Sequence, residues 1–165
     1  MRVESVLAAA RCLFGTCEGE STSLSASNIC SSLETLAPAN VLYAGDDAYG
    51  IRQKAYFINQ HKEMQPACRY LPSDAYDVRA ALRRLVESDT SFAVHAGGHS
   101  YNPGTSNIEG GVTIDLSRLN SIKLTDNNTA AWVGPGARWR DVYKSLEPHG
   151  LTTPGGRVAD VGVGG

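Results

Sequence analysis

Apolar positions along the chain switch between two spacings. Downstream of Ser73, the residues Val78, Ala81, Leu82, Leu85 and Val86 recur at i, i+3, i+4, i+7 and i+8. That is one stripe of a helix, with Arg79, Arg83 and Arg84 turned outward. Ser73 is placed to cap this helix, and Asp74 falls in its first turn, where the dipole favours an anion. Before it, Cys68 to Leu71 reads as a short strand that runs into Pro72. After it, Phe92-Ala93-Val94 reads as a brief buried strand. Gly111 to Leu116 alternates strictly, as a half-buried strand does. Ile122-Lys123-Leu124 and Ala131-Trp132-Val133 read as strands joined through a turn at Asp126-Asn127-Asn128. A second amphipathic helix places Trp139, Val142, Tyr143 and Leu146 inward and stops at Pro148 and Gly150.

The upstream part is less regular. Residues 1–29, small and polar around Glu20 to Asn28, read as a leader or loose arm. Ile29 to Leu36 is helical in character, and Gly45-Asp46-Asp47 marks a turn. Tyr43, Tyr49, Tyr56 and Phe57 are read as aromatics packed on a core. No segment repeats, and the whole pattern is α+β.

The chain of 165 residues is long enough for one domain with a real core. Its 42% hydrophobic content excludes a disordered chain. A formal net charge of −2 offers no basic excess to a nucleic acid or an anionic membrane. Arg11 interrupts the best apolar run, so no membrane span is expected. Glu4 and Arg11 also spoil an otherwise signal-like start, which leaves the compartment open between secreted and not. The four cysteines, Cys12, Cys17, Cys30 and Cys68, form no CxxC pair and no Cys/His cluster, which argues against a metal. On the residues alone, disulfides and buried free thiols are both open.

Glycine is unevenly distributed. Of 17 glycines, all but Gly15, Gly19, Gly45 and Gly50 lie beyond residue 96. They concentrate in two loops, Ala96 to Gly104 and Thr153 to Gly165. Successive peptide N–H groups in such loops can cradle an anion, although plain tight turns use glycine as well. A Rossmann fingerprint is missing: Gly134-Pro135-Gly136 leads into a helix without the third glycine, and Pro135 removes a donor. There is no P-loop, and a hydrolase built on His99 would lack a Ser/Cys–acid arrangement. His61, His95 and His149 are read as structural, whereas His99 stands inside the glycine loop, where an imidazole can serve as a nucleophile.

The string Phe92-Ala93-Val94-His95-Ala96-Gly97-Gly98-His99-Ser100 resembles the signature of FAD-linked oxidoreductases of the vanillyl-alcohol oxidase superfamily, nearest to the berberine-bridge-enzyme-like group with its PCMH-type FAD-binding domain. Pro66 to Ser73, Gly110 to Leu116, Val133 to Ala137, Gly155-Gly156 and Val161 to Gly165 resemble further motifs of the family in order, so the resemblance covers residues 30–165. It implies a partial FAD-binding domain over 30–165, with one lobe from the first strands and helix and an incomplete second lobe from residue 104. It also implies that His99 is bonded covalently to a methyl carbon of the isoalloxazine ring, and that Gly97, Gly98, Ser100 and Tyr101 contact the FAD pyrophosphate. Gly156, Gly162, Gly164 and Gly165 belong to the second flavin loop by the same resemblance. Some members add a cysteinyl link; Val158 occupies that position here, so a single link is expected. Many relatives carry arginine where this chain has His95, a change that would weaken cofactor contacts. A disulfide from Cys30 to Cys68 is implied as well.

The implied activity is oxidation of a small organic substrate by hydride transfer to the flavin, with molecular oxygen as reoxidant. The family continues past the Val161-type loop, and no catalytic base is recognisable in this chain. Two readings follow, a flavoprotein oxidoreductase in fragmentary or shortened form and a non-catalytic remnant. In either case the chain made alone is expected to bind flavin poorly, with residues 151–165 mobile and a strand edge open beside Val161 and Val163.

Overall fold

Two sheets divide the strands. A computed structural model describes residues 26–164, so the leader through residue 25 and the site candidate Gly165 lie outside the described residues. The first sheet is built from β1 (Val41–Leu42), β2 (Cys68–Tyr70), β3 (Phe92–His95) and β4 (Val112–Asp115) in the order β1-β2-β4-β3. β1 runs antiparallel to β2, whereas β4 is parallel to both of its neighbours. The second sheet is the hairpin of β5 (Ile122–Leu124) and β6 (Ala131–Val133), with Lys123 opposite Trp132. Five helices accompany them: α1 (Ala26–Leu36), α2 (Asp47–Gln53), α3 (Asn59–Glu63), α4 (Ala75–Glu87) and α5 (Trp139–Leu146). The architecture is α+β, as the periodicities imply.

The core lies between α1, α4 and the first sheet, where Ile29, Leu33, Tyr70, Leu85, Val112 and Ile114 are buried together. Cys30 and Cys68 are fully buried there and bonded to each other. The bond spans 38 residues and ties α1 to β2, a constraint worth roughly 3–4 kcal/mol in the chain-entropy picture.

Several sequence expectations change. Helix α1 begins at Ala26 and buries Ile29, so a boundary after residue 29 cuts through an element of the core. Asp74, not Ser73, caps α4: its carboxylate accepts from Asp77 N–H at 2.9 Å, while Asp77 in turn accepts from Ser73 N–H. Val86 is exposed: it lies at the margin of the stripe, a helical step of about 100° around the axis from the fully buried Leu85. All four residues of β4 are buried, since a central parallel strand is covered on both faces; the alternation of its sequence does not report burial here. β3, at the sheet edge, is the one that alternates, with Val94 exposed and Ala93 and His95 inward. Since β4 belongs to the first sheet, residue 104 does not mark the start of a second lobe; the second sheet starts at Ile122. Finally, the edge beside Val161 and Val163 is occupied. Trp139 N–H donates to Val161 O at 3.1 Å, Val163 N–H to Ala137 O at 2.9 Å, and Arg138 pairs with Gly162.

Candidate functional site

Strand β3 delivers the glycine loop. His95 closes the pairing with Asp115 on β4, and the chain leaves the sheet at Ala96. Gly98 has φ +70°, a left-handed conformation that a side chain resists, and a Cβ there would stand 2.7 Å from His95 Nε2. Gly97 and Gly98 are buried, His99 and Ser100 are half-buried, and Tyr101 is exposed.

The loop leaves its own donors unspent. The peptide N–H groups of Gly97, Gly98, His99, Ser100 and Tyr101 meet no acceptor among the described residues. Its carbonyl at Gly98, in contrast, accepts from Phe57 N–H at 3.1 Å. The Ser100 hydroxyl accepts from Asn102 N–H at 3.3 Å and faces the Thr105 hydroxyl at 2.7 Å. The His99 imidazole makes no hydrogen bond to a described residue; it stacks on Phe57 with ring centroids 4.7 Å apart and planes 19° from parallel. Tyr101 meets the other edge of Phe57 at 5.8 Å, nearly perpendicular.

Below the loop lies a buried polar network. Asp115 accepts from Arg52 Nε at 2.8 Å and Arg52 Nη2 at 3.0 Å, and also from Ser117 N–H. His95 Nδ1 is 3.1 Å from the same carboxylate, and His95 Nε2 is buried without a partner beneath Gly98. Burial opposes ionisation of Asp115, but the His95 contact and the Arg52 fork overcome it and hold the carboxyl well below the usual range. Arg69, wholly buried, donates from Nη1 to Tyr56 Oη at 3.0 Å and from Nη2 to Asn107 Oδ1 at 3.2 Å and to Gln53. Burial pushes the Tyr56 hydroxyl up to about 12, so it stays protonated and donates to Ser106 O at 2.8 Å. His61, also buried, is pushed down by desolvation and faces Ser106 Oγ at 3.2 Å.

The second glycine loop reaches the first at one point. Gly164 lies with its Cβ direction 3.3 Å from Ala96 Cβ and 2.8 Å from Pro135 O. Gly162 is buried beside Arg138, whereas Gly155 and Gly156 lie against the Trp139 indole, and Gly156 O accepts from Tyr143 Oη at 2.9 Å. Val158 is exposed on the same segment. The structure thus joins Gly164 to the start of the His99 loop, and sets Gly155, Gly156 and Val158 beside or beyond α5.

Phe57, Asp115, Arg52 and Arg69 escape the sequence reading. Phe57 was expected in the core, yet it is 54% exposed. Nothing in local sequence marks an exposed ring as a partner of His99, because the pairing joins residues 42 positions apart through a bend in the chain. Asp115 and Arg69 sit at strand positions that pattern alone assigns to packing.

An FAD binding domain family matches residues 66–165. An FAD-dependent monooxygenase of Emericella nidulans, sdcF, is 38% identical over 138 residues, covering 82% of this chain and 29% of the relative. Another, tpcD of Cochliobolus heterostrophus, is 43% identical over 110 residues, 67% of this chain and 21% of the relative. Among solved structures, 6-hydroxy-D-nicotine oxidase from Arthrobacter nicotinovorans superposes with a TM-score of 0.67 at 26% identity, covering 74% of this chain and 26% of that one. A chitooligosaccharide oxidase gives 0.66 at 26% identity, covering 82% and 29%. The chain therefore spans between a fifth and a third of the length of these relatives. On the strength of a match that takes in both glycine loops, the chain belongs to the FAD binding domain family.

Proposed function

We propose that this chain supplies the flavin seat of an FAD-dependent oxidoreductase that oxidises a small organic substrate. The observation that carries the reading is a run of five peptide donors, Gly97 to Tyr101, around an imidazole, all without a hydrogen-bond partner among the described residues. Such a run is a nest for a diphosphate, and buried Gly97 and Gly98 leave room for the anion to approach the backbone. Ser100 adds a hydroxyl donor, and Gly164 extends the wall from the second loop.

His99 would carry the flavin. The link would run from a ring nitrogen of His99 to a methyl carbon of the isoalloxazine, as the family resemblance implies. Val158 offers no sulfur, so the histidyl link stands alone. The bound group would supply hydride acceptance. The chain's own part is to bind, orient and hold the protonation states beneath the loop. Asp115 stays ionised between Arg52 and His95, and Tyr56 stays neutral, so the network keeps fixed charges under the seat across neutral pH.

The partners implied are a small-molecule substrate and dioxygen, with no nucleic acid. Among the described residues, no helix is long and apolar enough to cross a membrane. By the family resemblance, the substrate-facing base would come from the part of the relatives that this chain does not span. Peptide mass spectrometry of the flavin-loaded protein tests the seat: the peptide bearing His99 is expected to carry FAD, and an unmodified His99 peptide from a yellow, denaturation-resistant protein would contradict it.

A further inference from the structure

We infer that Phe57 is a positioning residue for His99, one that holds the imidazole by stacking and so leaves both ring nitrogens free. The inference rests on the proposed attachment of flavin at His99. Three observations carry it. The Phe57 and His99 rings stack at 4.7 Å and 19°, and this is the contact that holds a ring otherwise without hydrogen bonds among the described residues. Phe57 is itself fastened to the loop, its N–H donating to Gly98 O at 3.1 Å, so its ring moves with the backbone that carries His99. And Phe57 is 54% exposed, with Tyr101 against its edge at 82°, so core packing does not account for its place.

The chemistry favours this arrangement over a hydrogen bond. An acceptor on one ring nitrogen would fix the tautomer and spend a nitrogen. A face-to-face ring fixes the plane and spends neither. An offset aromatic pair contributes enough to bias the ring between rotamers by about two- to tenfold. A bond-forming step depends steeply on such alignment. Phe57 touches His99 and not the reacting methyl group, so its role is orientation.

Three variants test it: Phe57→Leu keeps an apolar side chain of similar size, Phe57→Tyr keeps the ring, and His99→Ala is the control. The first readout needs no flavin. The His99 ring-proton resonances of the 165-residue chain are expected to lie upfield in the wild type and Phe57→Tyr, and to move downfield in Phe57→Leu. Unmoved resonances in Phe57→Leu would overturn the inference. The second readout is the rate of covalent flavin incorporation, followed as in-gel fluorescence after denaturation, in the protein with any sequence its gene encodes beyond Gly165. Phe57→Leu is expected to slow it about two- to tenfold and Phe57→Tyr to restore it. Equal rates in wild type and Phe57→Leu would overturn the inference while leaving the attachment intact. A wild type without attached flavin would remove the attachment itself, and with it Phe57's part in it.

Discussion

The residues beneath the Gly97–Tyr101 loop divide into those that hold charge and those that hold shape. Asp115 is wholly buried, paired with Arg52 and 4.0 Å from the buried Arg69 guanidinium, so removing its charge leaves these cations without their counter-ion. Asp115→Asn is expected to lower stability by about 3–5 kcal/mol, measured by denaturant unfolding. Because its folded carboxyl ionises below the unfolded value, the contribution is complete above the usual carboxylate range. It is lost as pH falls below about 4. Tyr56 works in the opposite sense. Its hydroxyl is raised from 10.0 to about 12, so its contribution is complete below pH 10.0 and is lost as pH rises toward 12. Unfolding curves across acid and alkaline pH check both arms. At Gly98 the demand is conformational: Gly98→Ala places a Cβ on a left-handed backbone and against His95 Nε2. A loss of at least about 1–2 kcal/mol is expected from the backbone term, read as a lowered midpoint.

Among the elements, α4 and β3–β4 were legible and their surroundings were not. The α4 stripe is plain in sequence because an amphipathic helix must cover one face of a sheet, and Ala81 and Leu85 do so. Its cap was displaced by one residue, since Ser73 and Asp74 are both good caps and only the geometry shows Asp74 accepting from Asp77 N–H. Asp74→Ala is expected to cost about 0.5–2 kcal/mol, checked by thermal unfolding. Three of the four strands of the first sheet are legible and β1, only two residues long, is not; burial was assigned to the wrong ones, because the pairing order that makes β4 central is non-local. The string around His99 was legible because its glycines serve one loop. Phe57 and the Arg52–Asp115 pair were not, since each arises where distant segments meet.

At the scale of the molecule, the site is a surface rather than a pocket. Phe57 is 54% and Tyr101 72% exposed beside His99, and the matched segment covers only 29% and 21% of the relatives sdcF and tpcD. A flavin needs most of its surface covered, so the 165-residue chain made alone is expected to retain little FAD, and its purified form to lack a flavin absorbance. The open strand edge offered in support of that expectation does not exist, because the Val161–Val163 segment is tied to α5 and its approach. If the Gly97–Tyr101 loop seats a flavin attached to His99, wild type and His99→Ala must differ in covalently held flavin. Both are expressed under flavin-replete conditions with any sequence their gene encodes beyond Gly165, denatured, and viewed on a gel for flavin fluorescence. A fluorescent wild-type band beside a dark His99→Ala band is expected; equal fluorescence in both, or a folded wild type that stays dark, would contradict it.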